Sequence, residues 1–165
     1  MTSAPDVRLR MSARPEGVAV VRQALAGMAE ALAFDATVLA DMKMAVSEAC
    51  TNVVVHAYES SDGILEVDMS ADDSGLTILV RDHGGGIQPH TTRTREVPAL
   101  GLGLPLIAAL SDSFELRGGA QGTEVRMTFQ YDRERDPAAA NPVTGGVGQD
   151  GRWSQAAEPE RSPNG

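Results

Sequence analysis

Cysteine is nearly absent: Cys50 is the only one in 165 residues. A lone thiol makes no internal disulfide and no cysteine-based zinc site, so nothing calls for an oxidising compartment. Aromatics are scarce at 4%, and bases are outnumbered, with 14 Lys and Arg against 23 Asp and Glu and a net charge of −9. That balance excludes a passive grip on nucleic acid, which needs a positive footprint, and equally an anionic membrane surface. Long apolar runs are also missing. The stretch from Val97 to Ser111 is uncharged but carries two Gly and two Pro, and it falls short of the ~20 apolar residues of a membrane span. Met1 to Met11 lacks the apolar run of a signal peptide. The expectation is a cytoplasmic protein with no direct contact to nucleic acid or membrane.

What is present fits one domain of ordinary size, with 42% hydrophobic residues. Composition changes after Tyr131. Residues 132–165 contain no Leu, Ile, Met or Phe, yet hold four of the nine Pro and five of the 17 Gly. Such a segment buries too little apolar area to offset its ordering entropy, so 1–131 is expected to fold and 132–165 to be a disordered tail. Trp153 is the tail's one large apolar residue, either solvated or a docking point. The tail carries six acids and four bases, which leaves the body 17 against 10 and a net −7.

Along the body, Val7, Leu9 and Met11 alternate with Arg8, Arg10 and Ser12, the period of a half-buried strand. Ser12, Pro15 and Glu16 mark the start of a helix whose Val18, Val21, Leu25, Met28 and Leu32 share a face. Asp35 or Thr37 can cap a second helix, in which Leu39, Met42, Val46, Ala49 and Val53 step by three and four, running to about Tyr58. Two strands follow, around Leu65–Met69 and Leu76–Val80, joined by the turn Asp72-Asp73-Ser74-Gly75; the second is partly buried on both faces. After the glycine-rich break Asp82–Gly86, residues 87–100 have no apolar period. A short helix is expected over Gly103–Leu110, then a hairpin of Phe114–Arg117 and Val125–Phe129 around Gly118–Gly122. The order β-α-α-β-β-loop-α-β-β, with strands in hairpins, predicts an α+β chain: a two-layer α/β sandwich with a mostly antiparallel sheet.

Four short segments carry chemistry. Glu48, Asn52 and His56 are four residues apart on the second helix; each step of four rotates about 40°, so they form one polar stripe. Taken alone, such a stripe is also what a solvated helix face looks like. Asp82-His83-Gly84-Gly85-Gly86 follows a buried strand, where a carboxylate can accept from an amine while bare backbone approaches a planar ring. Gly101-Leu102-Gly103-Leu104 precedes a helix, so backbone N–H groups and the helix terminus can converge on an anion. Gly122-Thr123 opens the last strand, which an ordinary hairpin turn also explains.

In order, E-A-C-T-N-V-V-V-H-A-Y, D-H-G-G-G-I, G-L-G-L-P-L-I and G-T resemble the GHKL ATPase superfamily. Within it they are most similar to the anti-sigma-factor serine/threonine kinases, over about residues 5–130. The resemblance implies the Bergerat-type fold, ATP and Mg²⁺. It implies Asn52 as the Mg²⁺ ligand and Glu48 as the residue that orients or deprotonates the attacking hydroxyl. It matches Asp82 to the reader of the adenine amino group, Gly84 and Gly86 to the glycines against the base, Gly101 and Gly103 to the phosphate side, and Thr123 to the threonine near adenine. Residues 87–100 match a lid. His56 and Tyr58 are read as structural. Kinases of this branch often carry an Arg before the first phosphate-side glycine; here Ala99 and Leu100 stand there, and Arg93 and Arg95 in the lid can substitute. The partners implied are a sigma factor and a STAS-type anti-anti-sigma protein, with the chain as a homodimer. The alternative is a nucleotide-binding module that sequesters a partner without kinase activity.

Overall fold

The computed structural model describes residues 5–58, 63–85, 103–119, 121–131, 145–147 and 152–155. The elements run β1 (Val7–Ser12), α1 (Pro15–Ala31), α2 (Ala36–His56), β2 (Ile64–Ala71), β3 (Gly75–Asp82), α3 (Gly103–Leu110), β4 (Ser113–Gly119), β5 (Gly122–Gln130), β6 (Gly145–Val147) and β7 (Arg152–Gln155). The sheet order is β1-β2-β3-β5-β4-β7-β6, and each pairing is antiparallel. Through β5 this is the expected order of elements, folded as a helical layer on one face of an antiparallel sheet.

Alternation sorts each strand. Leu65, Val67, Met69, Ile78, Val80, Val125, Met127 and Phe129 are buried against Val21, Leu25, Met42, Val46 and Ile107 of the helices. Burying side chains of this kind contributes roughly 1.5–3 kcal/mol each, the main force joining the layers. The opposite face is charged, and the register aligns Arg10 with Glu66, Arg8 with Asp68, and Arg81 with Glu124. These pairs meet at 3.2, 2.8 and 2.9 Å. Arg81 also bonds Asp68 at 2.8 Å, so one row of charges crosses from β1 to β5. Leu79, on this charged side, is only 7% exposed, in line with a strand buried in part on both faces.

Local departures from the sequence reading have physical causes. Ser12 ends β1 rather than capping α1; the N-cap is Arg14, with no side-chain bond, and Pro15 opens the helix where its missing N–H does no harm. Of the two candidate caps for α2, Asp35 takes the role and accepts from the Thr37 amide at 2.7 Å. The buried face of α2 includes Val38, Ala45 and Cys50, whereas Leu39 is half-buried, and the helix stops at His56. The last hairpin is longer than expected, because Gly118, Gly119 and Gly122 are strand residues rather than a turn. Two segments of the tail, β6 and β7, pair at the edge of β4, and the rest of 132–165 lies outside the described residues. An open strand edge offers unpaired N–H and C=O groups that an extended segment can satisfy with little apolar content. Among the described residues no helix is long and apolar enough to cross a membrane.

Candidate nucleotide site

Helix α2 carries the polar stripe. Glu48 and Asn52 are half-buried and His56 is exposed, so the stripe lies at the margin of the helical layer rather than wholly in solvent. Asp35 fixes the start of this helix, and Tyr58 fixes the chain just past its end: the hydroxyl donates to the Ile64 carbonyl at 2.6 Å. Helix α3 packs against α2 so closely that a Cβ on Gly103 would fall on the Glu48 carboxylate. With glycine at this position the start of α3 approaches that carboxylate without displacing the Glu48 side chain. Glu48 and Gly103, in separate motifs of the sequence, therefore meet.

Asp82 is the last residue of β3 and is 6% exposed. Alternation places it with Ile78 and Val80 on the helix side of the sheet. Its Oδ1 accepts from the Gly84 amide at 2.9 Å, a local turn that aims the carboxylate. Among the described residues no other hydrogen bond is made to it, so Oδ2 is available to an outside donor. Thr123 stands next to it: the register pairs Arg81 with Glu124, which sets Asp82 and Thr123 one step further along, on the same face as Val125.

Two glycines bring backbone against this turn. A Cβ on Gly84 would strike the Ala57 carbonyl, and one on Gly122 would strike the Asp82 carbonyl. Gly122 also has φ +120°, a left-handed conformation that side chains disfavour. The turn after β3 is thus wedged between the end of α2 and the start of β5. The sequence marks Gly122-Thr123 as the opening of the last strand, and Gly122 is the first residue of β5; its contact with the Asp82 carbonyl becomes visible only from the pairing. Gly86, Gly101, Arg93 and Arg95 lie outside the described residues.

The thiol of Cys50 is sealed in the core, and burial pushes it up to about 12. It stays protonated and is no nucleophile. Among the described residues no group of three or more His, Cys, Asp or Glu is placed to hold a metal ion. A divalent ion here would need phosphate oxygens and a neutral side-chain oxygen as well, and Asn52 is a ligand of that kind.

Residues 11–129 match the family model of the histidine kinase-like ATPase domain. The chain belongs to that ATPase family. The chain is 32% identical over 149 residues to the serine-protein kinase RsbW of Bacillus cereus, across 84% of this chain and 92% of the relative. The serine-protein kinase RsbW of Bacillus thuringiensis is 31% identical over the same shares. The RsbU and RsbW domains of a Mycobacterium tuberculosis protein share the fold, with a TM-score of 0.55 and 23% identity over 77% of this chain and 33% of that one. Family membership makes ATP the nucleotide expected. The geometry is compatible with it: a carboxylate oxygen with no partner among the described residues, glycines that let backbone pack on either side of its turn, and a second carboxylate beside the start of α3.

Proposed function

We propose that the chain is an ATP- and Mg²⁺-dependent serine/threonine-protein kinase that acts as an anti-sigma factor. It sequesters a sigma factor and phosphorylates a STAS-type anti-anti-sigma protein. The observation that carries this reading is the approach of Gly103 to Glu48, the arrangement expected if a carboxylate base serves the phosphate end of an ATP site. Its relatives named serine-protein kinase RsbW support the same reading.

In this reading Asp82 accepts from the adenine amino group, with Thr123 beside it, and Gly84 and Gly86 leave the base room. Gly101 and Gly103 turn backbone N–H groups toward the phosphates. Asn52 holds Mg²⁺, whose chemistry is to neutralise charge on the phosphate oxygens. Glu48 takes the proton from a serine or threonine hydroxyl on the partner. That oxygen bonds to the terminal phosphorus, the bond to the bridging oxygen breaks, and ADP leaves with the electron pair. Positioning and charge neutralisation do most of the work in such transfers. Arg93 and Arg95 supply positive charge from the lid.

Labelled ATP with the purified chain and a STAS-type protein from the same cell tests the proposal. Label should appear on the STAS-type protein and fall by about 10²–10⁴-fold with Glu48→Gln, which keeps nucleotide binding but removes the base. Transfer at the wild-type rate by Glu48→Gln would remove that role. Ala99 and Leu100, where kinases of this branch often have an Arg, favour the second reading, a sequestering module. Nucleotide binding with no label on any partner would select it. The body's net −7 suits a sigma factor's basic segments, and a homodimer is the assembly proposed; sigma binding that weakens with salt, and a dimer mass by light scattering, are the outcomes expected.

A further inference from the structure

Tyr58 so far only fixes the chain past the end of α2, yet two hydrogen bonds and two close packings meet on it and its neighbour. Its hydroxyl donates to the Ile64 carbonyl at 2.6 Å and accepts from the His83 amide at 2.9 Å. Its ring covers Gly63 so closely that a Cβ there would fall within it. The preceding carbonyl, that of Ala57, occupies the place of a side chain on Gly84. Tyr58 therefore sits just past the helix that bears Glu48 and Asn52 and is bonded to the backbone one residue after Asp82.

We propose that Tyr58 is a positioning residue for base selection: its hydroxyl holds the Asp82–Gly84 turn against the end of α2, so that the Asp82 carboxylate keeps the direction needed to accept from an exocyclic amine. The inference rests on the nucleotide reading above. Physically, the peptide between Asp82 and His83 is the lever. One side of the turn is closed by the Gly84 amide on Oδ1. On the other side the His83 amide bonds Tyr58, and the His83 ring meets Glu66 at 3.2 Å. Without the hydroxyl this amide loses its acceptor, the bond that ties the turn to the end of α2 is gone, and the Asp82 carboxylate is held less firmly in direction. The ring alone keeps the packing on Gly63, so Tyr58→Phe separates direction from bulk.

The test is calorimetry of the full chain with Mg²⁺-ADP and Mg²⁺-IDP. Inosine presents an oxo group where adenine has its amine, so the donor that Asp82 would accept from is replaced by an acceptor at that position. The unmodified chain should prefer ADP. Tyr58→Phe should lose about 3–10-fold in ADP affinity, the range for one hydrogen bond. Its IDP affinity should stay nearly constant, so that the ADP/IDP ratio falls. An unchanged ratio, or equal losses for both nucleotides, overturns the role of Tyr58 and leaves the nucleotide site standing. No preference for ADP in the unmodified chain removes both. If Tyr58→Phe fails to fold, amide exchange in the unmodified chain decides. The His83 amide should be protected, and more so with ADP, whereas exchange at the open-chain rate overturns the latch.

Discussion

At the scale of the residue, Asp82 is the sharpest point in the molecule. Its Oδ1 is already engaged by the Gly84 amide, so the outward oxygen decides what the site accepts. Asp82→Asn can keep the inner bond and turn its amide outward, setting donor against donor at the adenine amine. The loss of a charge-assisted hydrogen bond costs about 1.5–3 kcal/mol, or roughly 10–150-fold in ADP affinity by calorimetry. Equal affinity in both proteins would take Asp82 out of the base site. Asp82, Glu48 and Asn52 stand out in the sequence by residue type and local spacing, and the family resemblance supplies the roles proposed for them. Tyr58 was legible only as a structural residue. Its acceptor role spans 25 positions to His83, and nothing in the local pattern of either segment announces that meeting.

At the scale of the element, helix ends show what periodicity leaves out. Helix α1 stops where the Ala33 amide bonds the Glu30 carbonyl and the Phe34 amide bonds the Ala29 carbonyl, each at 3.0 Å. That pattern needs a left-handed residue, and Ala33 takes it at φ 57°. Most helices with this ending place glycine there. No glycine flags the stop, so the sequence locates the helix by its apolar stripe and not by its terminus. Ala33→Gly should relieve the strain and raise stability by about 0.5–1 kcal/mol in urea unfolding, with the m-value unchanged; a loss of stability would show that chain entropy outweighs strain here. The charged face of the sheet gives a second expectation. The Asp68 carboxyl is held below the ordinary carboxylate range by the hydrogen bond from Arg8, with Arg81 adding to it and burial opposing. A folded value below the unfolded 3.8 means that the contribution is complete above that pH and is lost as pH falls through the lowered folded value. Asp68→Asn should therefore cost about 1–2 kcal/mol at pH 7, discounted for the exposed Arg8, and flatten the fall of Tm below pH 4. An acid profile as steep as that of the unmodified chain would contradict this.

At the scale of the whole molecule, the question is what the segment after Tyr131 does for the fold. Its composition predicted no structure, and the strand pairings qualify that by giving it seven paired residues at the sheet's edge. Glu115, Leu116 and Arg117 of β4 align with Ser154, Trp153 and Arg152, and β6 lies beyond. Among the residues whose side chains are described, the buried hydrophobic core runs from Ala13 to Phe129. The candidate site draws Glu48, Asn52, Asp82, Gly103 and Thr123 from the body alone. Deleting 132–165 should thus leave ADP affinity unchanged and shift Tm by no more than about 3 °C, since a change near 1 kcal/mol moves a domain of this size by only a few degrees. What should change is β4: its amides lose protection against exchange once it becomes the edge. Glu115 and Arg117 put opposite charges along that edge, joined at 3.1 Å, and charged side chains of this kind discourage strand-to-strand association. The shortened chain should accordingly keep the oligomeric state of the full one in light scattering. Aggregation, or a Tm several degrees lower, would show that the paired tail is a working part of the sheet and that the folded unit extends past Tyr131.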